Sequence, residues 1–290
     1  MGFTNTNLTD KIKKTLNGDY MNIGIISLGL IGGSILKSLS DLNHNIIAIS
    51  QNPTTLAKAE KYTNKISSNL EDLKICDVVF VCCPIRNTIE ILNKLDSIVE
   101  NECIVMDVAS IKEFVMNTKH NYKFIGSHPM AGTEFNGFEA SFKDLFKGAK
   151  WVLTPSKEIT SKELDLATEI IQSMGATTIV ANATEHDEAV ALISHMPMLV
   201  SQAIFKSAQS NELALRLASS GFRDMTRLAM SNPTMADDMI NFNGTNIEKS
   251  LAIMEESINS LKTNNYKEML LNLKASREKM YSKEGKNIIS

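Results

Sequence analysis

Two rhythms of hydrophobic and polar positions divide this chain. From Met21 to about residue 182, short apolar runs alternate with segments whose apolar residues recur every three or four positions. "MNIGIISLG" reads as a strand and "LIGGSILKSLSDLN" as an amphipathic helix. The strands "NIIAIS", "DVVFVCC", "CIVMDVAS" and "YKFIGSHP" follow, with "PTTLAKAEKYT" and "IRNTIEILNKLDSIV" as helices among them. "KWVLTPS", "SKELDLATEIIQSMG" and "TTIVAN" add a further strand, helix and strand. This alternation predicts an α/β domain, a doubly wound parallel sheet with helices on both faces.

The rhythm changes near Thr184. "TEHDEAVALISHMPMLVSQAIFKSAQ" opens with Thr184 and Asp187 three residues apart, a variant of the capping box that starts a helix. No strong strand pattern follows, and helical spacing runs through "NELALRLASS", "PTMADDMINFN", "TNIEKSLAIMEESINSLKT" and "YKEMLLNLKASREKMY". The expected organisation is therefore an extension over 1–20, an α/β domain over 21–184, an all-helical domain over 185–282 and a tail over 283–290. The helical half holds much of the methionine. A methionine stripe can be an adaptable binding surface, but it is read here as core or as a subunit interface. Long apolar helices of this kind predict a homodimer.

Composition narrows the function classes. A hydrophobic content of 43% with 22% charged residues is ordinary for a globular chain. A net charge of −3 gives no electrostatic reason to expect nucleic acid. No apolar run reaches the roughly 18 residues of a membrane span, and no apolar leader core opens the chain, so a cytoplasmic protein without a membrane partner is expected. Cys76, Cys82, Cys83 and Cys103 have neither C-x-x-C nor zinc-ligand spacing; they read as reduced thiols, with no metal site.

Candidate chemistry begins at "NIGIISLGLIGGS", where a strand runs into glycines that open a helix. In a Rossmann-like domain this is the dinucleotide fingerprint G-x-G-x-x-G, here with Ser27 in the first position and Gly29 and Gly32 in the others. The contact stretch is Ser27, Leu28, Gly29, Leu30, Ile31 and Gly32. Gly29 would let backbone approach a pyrophosphate, the helix N-terminus would offer N–H groups, and Gly32 and Gly33 would let the helix pack on the strand. Ser27 is expected to make the turn with negative φ, because a Cβ penalises positive φ. The second strand ends at Ser50 and Gln51, where a strict NAD site would carry an acidic residue. Either form could bind, which favours NADP or dual use. Pro84, after "DVVFVCC", is a further cofactor candidate.

In "GSHPMAGTEFNGF", His128 follows a strand and is expected on a glycine-rich loop at the carboxyl edge of the sheet, where open α/β sheets bind ligands. "DVASIK" ends another strand with Ser110, whose hydroxyl could face the same crevice. "SSGFRDMTRLAMSNP" brings Arg223, Asp224 and Arg227 together, a cluster that could equally be solvated ion pairs.

Taken in order, "GLIGGS", "DVASIK", "GSHPMAGTE", "ISHMP" and "GFRDMTR…NP" closely resemble the prephenate/arogenate dehydrogenase family of tyrosine biosynthesis. The resemblance implies an NAD(P)-dependent oxidative decarboxylation. Hydride leaves C4 of the cyclohexadienol ring, carbon dioxide leaves C1, and the ring becomes aromatic. It further implies that His128 accepts the hydroxyl proton, that Ser110 orients that hydroxyl, and that Arg227 binds a substrate carboxylate. Glu134, Asp224 and His195 match pocket positions, although His195 could equally be a structural histidine in a helix bundle.

The chain departs from the family at Ser27, at Met198 in place of a second histidine, and at Ala236 in place of a tryptophan. The last two leave the choice of prephenate or arogenate, and control by tyrosine, open. A β-hydroxyacid-type dehydrogenase is disfavoured because no G-x-x-x-N-x-x-K helix is present. A non-catalytic nucleotide sensor would need neither Ser110, His128 nor Arg227.

Overall fold

The computed structural model describes residues 20–63, 65–133, 135–262 and 265–281. Glu134, almost all of the 1–20 extension and the 283–290 tail lie outside them. The chain divides into two compact units, the first running to Asp187 and taking in Asn232–Phe242. The second comprises Glu188–Ser231 and the chain from Asn243 onward.

The first unit is built on an eight-stranded sheet: β1 (Asn22–Ile26), β2 (Asn45–Ile49), β3 (Lys65–Ser67), β4 (Val78–Val81), β5 (Ile104–Asp107), β6 (Lys123–Pro129), β7 (Lys150–Pro155) and β8 (Thr177–Val180). Their order is β3-β2-β1-β4-β5-β6-β7-β8, with the direction of winding changing between β1 and β4. All pairs are parallel except β6 with β7. The expectation of a parallel sheet is corrected at that one pair. No helix lies among the described residues that link β6 to β7, and without a crossover helix the chain returns antiparallel. The short strand β3 had no clear pattern of its own.

The central strands bury both faces, which is why they read as apolar runs with little polar alternation. Period two still sorts them. Ile25, Phe80 and Met106 join one core face with Trp151, while Val79, Val81 and Val105 join the other with Leu92 and Phe124. Trp151 is fully buried between Phe80 and Phe146. Removing such a ring typically costs about 3–5 kcal/mol.

Helix α1 (Leu30–Leu39) buries Ile35, Leu36 and Leu39. α2 (Pro53–Ala59) starts on proline, and the Asn52 side chain accepts from the Thr54 and Thr55 N–H groups. α3 (Ile85–Leu95) and α4 (Glu113–Met116) follow β4 and β5, and α5 (Ser161–Ser173) opens with a Thr160–Glu163 capping box. α6 (Ala183–Val190) is capped differently from expectation: Asn182 Oδ1 accepts from Glu185 N–H at 2.9 Å. Thr184 instead donates to Glu113, and Asp187 is engaged with α4.

In the second unit a π-helical turn over Ala191–His195 leads into α7 (Met196–Ala208). Pro197 has no N–H to continue the α-helical ladder, which accounts for the wider turn. α8 (Glu212–Leu217), α9 (Ser220–Met225) and a 3₁₀ turn over Arg227–Met230 follow. Helix α10 (Pro233–Leu261) is interrupted at Asn243, with φ −129° and ψ 21°. α11 (Tyr266–Tyr281) ends the described chain.

Residues 183–208 form a continuous helical stretch of 26 residues, apolar enough by length and composition to cross a membrane. The sequence reading, which found no such run, is corrected on that point. Met198 is buried, but Met225, Met230 and Met280 are exposed, so these methionines are not core within the chain.

Candidate active site

The cofactor and catalytic candidates of the first unit follow the carboxyl ends of neighbouring strands. Ser27 follows β1, Ser50 follows β2, Pro84 lies beyond β4, and Ser110 lies on the half-buried turn after β5. β1 and β4 flank the switch point, the usual ligand crevice of such sheets.

Ser27 departs from expectation. Its φ is +70°, the left-handed region in which a Cβ is strained, so the negative φ expected from the sequence is corrected. Its N–H donates to the Ile49 carbonyl at 2.9 Å, which fixes the turn. The Ser27 carbonyl then lies against Gly32, where a Cβ would overlap it. Gly32 lets helix α1 start this close to the strand end. Gly33 has another role from the one expected: a Cβ there would meet Ser141 and Phe138, so it packs on the 138–141 turn and not on the strand.

A Cβ on Gly29 would meet nothing within 4 Å. The space over the N-terminus of α1 is open, and no side chain caps that end. This suits a pyrophosphate held by backbone N–H groups. Leu28 is buried in the core, while Leu30 and Ile31 pack partly against it, so these three offer backbone more than side chain. Ser50 Oγ accepts from Asn52 N–H at 3.2 Å, and the Gln51 amide donates to the Ser68 carbonyl at 2.8 Å. No acidic side chain stands at these two positions.

His128 is the penultimate residue of β6, paired opposite Val152. The loop placement expected for it is thus corrected: antiparallel pairing with β7 extends the strand through Pro129. Its Nδ1 lies 2.9 Å from Nε2 of His186, whose Nδ1 lies 2.7 Å from Asp187 Oδ1. His186 and Asp187 are almost fully buried, and His128 is half-buried. The Asp187 carboxylate also accepts from Lys112 N–H at 2.7 Å and Glu113 N–H at 2.8 Å.

Beneath His128 lies a buried ion pair. Lys112 and Asp107 pair with both side chains at 0% exposure, and the ammonium also donates to the Ser127 carbonyl at 2.6 Å. Asp107 accepts from Ala109 N–H at 2.8 Å and Ser127 N–H at 2.9 Å. Trp151 Nε1 donates to Ser127 Oγ at 3.0 Å. Burial pulls the Lys112 amine below the ordinary lysine range, and the attraction of Asp107 and Asp187 opposes that pull. The network fixes the residue next to His128 from three sides.

The second unit holds the remaining candidates. Phe205, Arg223, Asp224, Thr226, Arg227 and Met230 line a cavity of about 390 Å³. Arg223 and Asp224 form an exposed pair at 3.5 Å, and Arg227 is exposed. His195 is fully buried at the end of the π turn, its Nδ1 3.1 Å from Asn243 Nδ2. Asn243 Oδ1 accepts from Asn246 at 2.9 Å, which orients the amide so that it donates to His195. Glu134 falls outside the described residues.

Both parts of the chain match known proteins. Residues 35–180 match the nucleotide-binding domain of prephenate dehydrogenase, and residues 182–273 match its dimerization domain. The chain belongs to the prephenate dehydrogenase family.

Among its relatives is prephenate dehydrogenase of Bacillus subtilis, 30% identical over 232 residues, which are 74% of this chain and 62% of that protein. The chain thus spans under two thirds of that relative's length. Cyclohexadienyl dehydrogenase of Zymomonas mobilis is 26% identical over 76% of this chain and 80% of its own. A crystal structure of Aquifex aeolicus prephenate dehydrogenase in complex with hydroxyphenyl propionate and NAD+ superposes with a TM-score of 0.80 at 29% identity, covering 90% of this chain and 98% of that one. Synechocystis arogenate dehydrogenase gives 0.79 at 30% identity, over 89% and 99%.

Lys112, Asp107, His186 and Asp187 were not among the residues picked from the sequence. The first two sit inside "DVASIK", where a lysine and an aspartate five residues apart flank a strand end. In "TEHDEAV" the spacing of Thr184 and Asp187 points to helix capping, and nothing in the sequence pattern singles out His186.

Proposed function

We propose that this protein is a prephenate dehydrogenase, converting prephenate to 4-hydroxyphenylpyruvate and carbon dioxide with reduction of NAD(P)+. The observation that carries this reading is membership of the family over both halves of the chain; His128 near the carboxyl end of β6, three strands along the sheet from β1, supports it. Residues 21–184 serve as the nucleotide-binding domain and residues 185–282 as the substrate and dimerisation domain.

Gly29 and the first turn of α1, with Ser27, Gly32 and Pro84, would hold the dinucleotide phosphates, and Ser50 and Gln51 are the residues that would hold its ribose. Bound there, the nicotinamide supplies the hydride acceptor. His128 takes the C4 hydroxyl proton as the hydride departs, which requires a neutral imidazole, and returns it to the phenolic oxygen as C1 loses carbon dioxide. Ser110 orients that hydroxyl. Arg227 grips a substrate carboxylate, for which a guanidinium is suited by its bidentate geometry, and by resemblance to the family Asp224, Glu134 and His195 are further substrate-binding candidates. Aromatisation drives the reaction, so positioning and proton transfer are what the side chains contribute.

The missing acidic residue at Ser50 favours NADP or dual use over strict NAD. Exposed Ile193, Leu217, Met225 and Met230 in the second unit support a homodimer through the helical domain. Four free cysteines support a reducing, cytoplasmic setting. Arogenate is the alternative substrate, since cyclohexadienyl and arogenate dehydrogenases are also among the relatives.

The test is a pair of variants. His128→Asn should lower kcat by roughly 10²–10⁴-fold with cofactor affinity retained; near-normal turnover would remove the base. Arg227→Ala should raise KM, and an unchanged KM would remove the carboxylate clamp.

A further inference from the structure

We infer that His186, backed by Asp187, sets the tautomer of His128 and so decides which of its ring nitrogens is the base. The inference rests on the reading of His128 as the proton acceptor.

The argument starts from Asp187. Its two oxygens accept the backbone N–H groups of Lys112 and Glu113, as an ionised carboxylate does. A group that only accepts must receive a proton from His186, so His186 Nδ1 carries N–H at the 2.7 Å contact. A neutral imidazole carries one proton. His186 Nε2 therefore has a lone pair, and at 2.9 Å it accepts from Nδ1–H of His128. His128 is then left with its lone pair on Nε2. The chain Asp187–His186–His128 passes a fixed protonation pattern along three side chains, the first two almost entirely buried.

The same groups hold this arrangement in place. Asp187 is anchored to the start of α4, and Lys112 of that turn is anchored to Asp107 and the Ser127 carbonyl, next to His128. Among the described residues, the charged groups near His186 include Asp187 and Glu185 on its own helix and Lys112 and Glu113 on the segment packed against it, with Lys112 in turn paired to Asp107. If His186 instead carried two protons, it would donate to His128 Nδ1. The His128 proton would then sit on Nε2, and that nitrogen could not act as a base. The two patterns are chemically distinct and measurable. A triad with a misplaced tautomer loses up to about 10⁴ in kcat, which shows what such a device can control.

The experiment labels histidine with ¹⁵N in the purified full chain and records long-range ¹H–¹⁵N spectra at pH 8. The His128 signals are assigned by their absence in His128→Asn. The wild type should show His128 protonated at Nδ1 and unprotonated at Nε2. His186→Leu, which cannot accept, should lose that preference and lower kcat at least ~10-fold while KM stays within about twofold. His186→Gln, whose side-chain carbonyl can accept from Nδ1–H, should keep the tautomer and recover most of the lost kcat. A wild-type His128 protonated at Nε2 overturns the inference, and so does a His186→Leu protein with unchanged tautomer and kcat. If His186→Leu fails to fold, the wild-type and His186→Gln spectra decide alone. Normal turnover of His128→Asn would instead defeat the base assignment, while the tautomer measurement would stand.

Discussion

The carbonyl oxygen of Ser27 occupies the space that a side chain at Gly32 would need, whereas the space above Gly29 is open. Gly32 is thus required by the fold, whereas nothing in the fold requires Gly29, and the proposed dinucleotide is what would.

Gly32→Ala should push helix α1 away from the strand end, lowering both thermal stability and dinucleotide affinity. Gly29→Ala should leave the melting temperature within a degree or two while weakening dinucleotide binding severalfold or more. Thermal melts with and without cofactor separate the two. Equal effects of both substitutions on the apo protein would contradict this division.

Ser27 sits at φ +70°. Ser27→Gly should relieve strain of about 1–2 kcal/mol and give back part of it as unfolded-chain entropy, for a net gain of roughly 0.5–1 kcal/mol. Urea unfolding measures it, and a net loss would mean that the serine side chain makes a compensating contact.

The sheet, its helices and the glycine turn were legible because each has a local cause: apolar runs in strands buried on both faces, helical spacing, Pro53 after Asn52, Thr160 before Glu163. The reversal at β7 was not legible, since an apolar run such as "KWVLTPS" does not encode direction. The positive φ of Ser27 was misread because propensity argues against it, and the turn between β1 and α1 overrides that preference. Of the candidate site, Ser110, His128, Arg227 and the cofactor turn could be picked from motifs. The network under His128 could not, because it joins Lys112, Glu113 and His128 to residues 58 to 75 positions later.

Lys112→Met leaves Asp107 buried without its ammonium. The expected loss is about 3–5 kcal/mol, the usual cost of breaking a buried pair from one side. Asp107→Asn combined with Lys112→Met should cost less than the sum of the single changes, because the orphaned charge is then removed too. Chemical denaturation of all three variants checks this, and additivity would contradict it.

Burial pushes the Cys76 thiol up to about 12 and the Cys83 thiol up to about 11. Both are raised above the unfolded value of 9.0, so folded protein retains protons that the unfolded chain releases. Their contribution is fully present below pH 9 and is lost as pH rises from about 9 through 11 to 12. The urea midpoint should therefore fall between pH 9 and 11, and less steeply in Cys76→Ala and Cys83→Ala. Parallel pH profiles for all three proteins would contradict the assignment.

The most direct test of the account is the initial rate of NAD(P)H formation by the purified protein, measured with prephenate and with arogenate, each with NAD+ and with NADP+. The account predicts turnover on prephenate with release of carbon dioxide, and a rate with NADP+ that equals or exceeds that with NAD+. Absence of turnover on both substrates with either cofactor would contradict it.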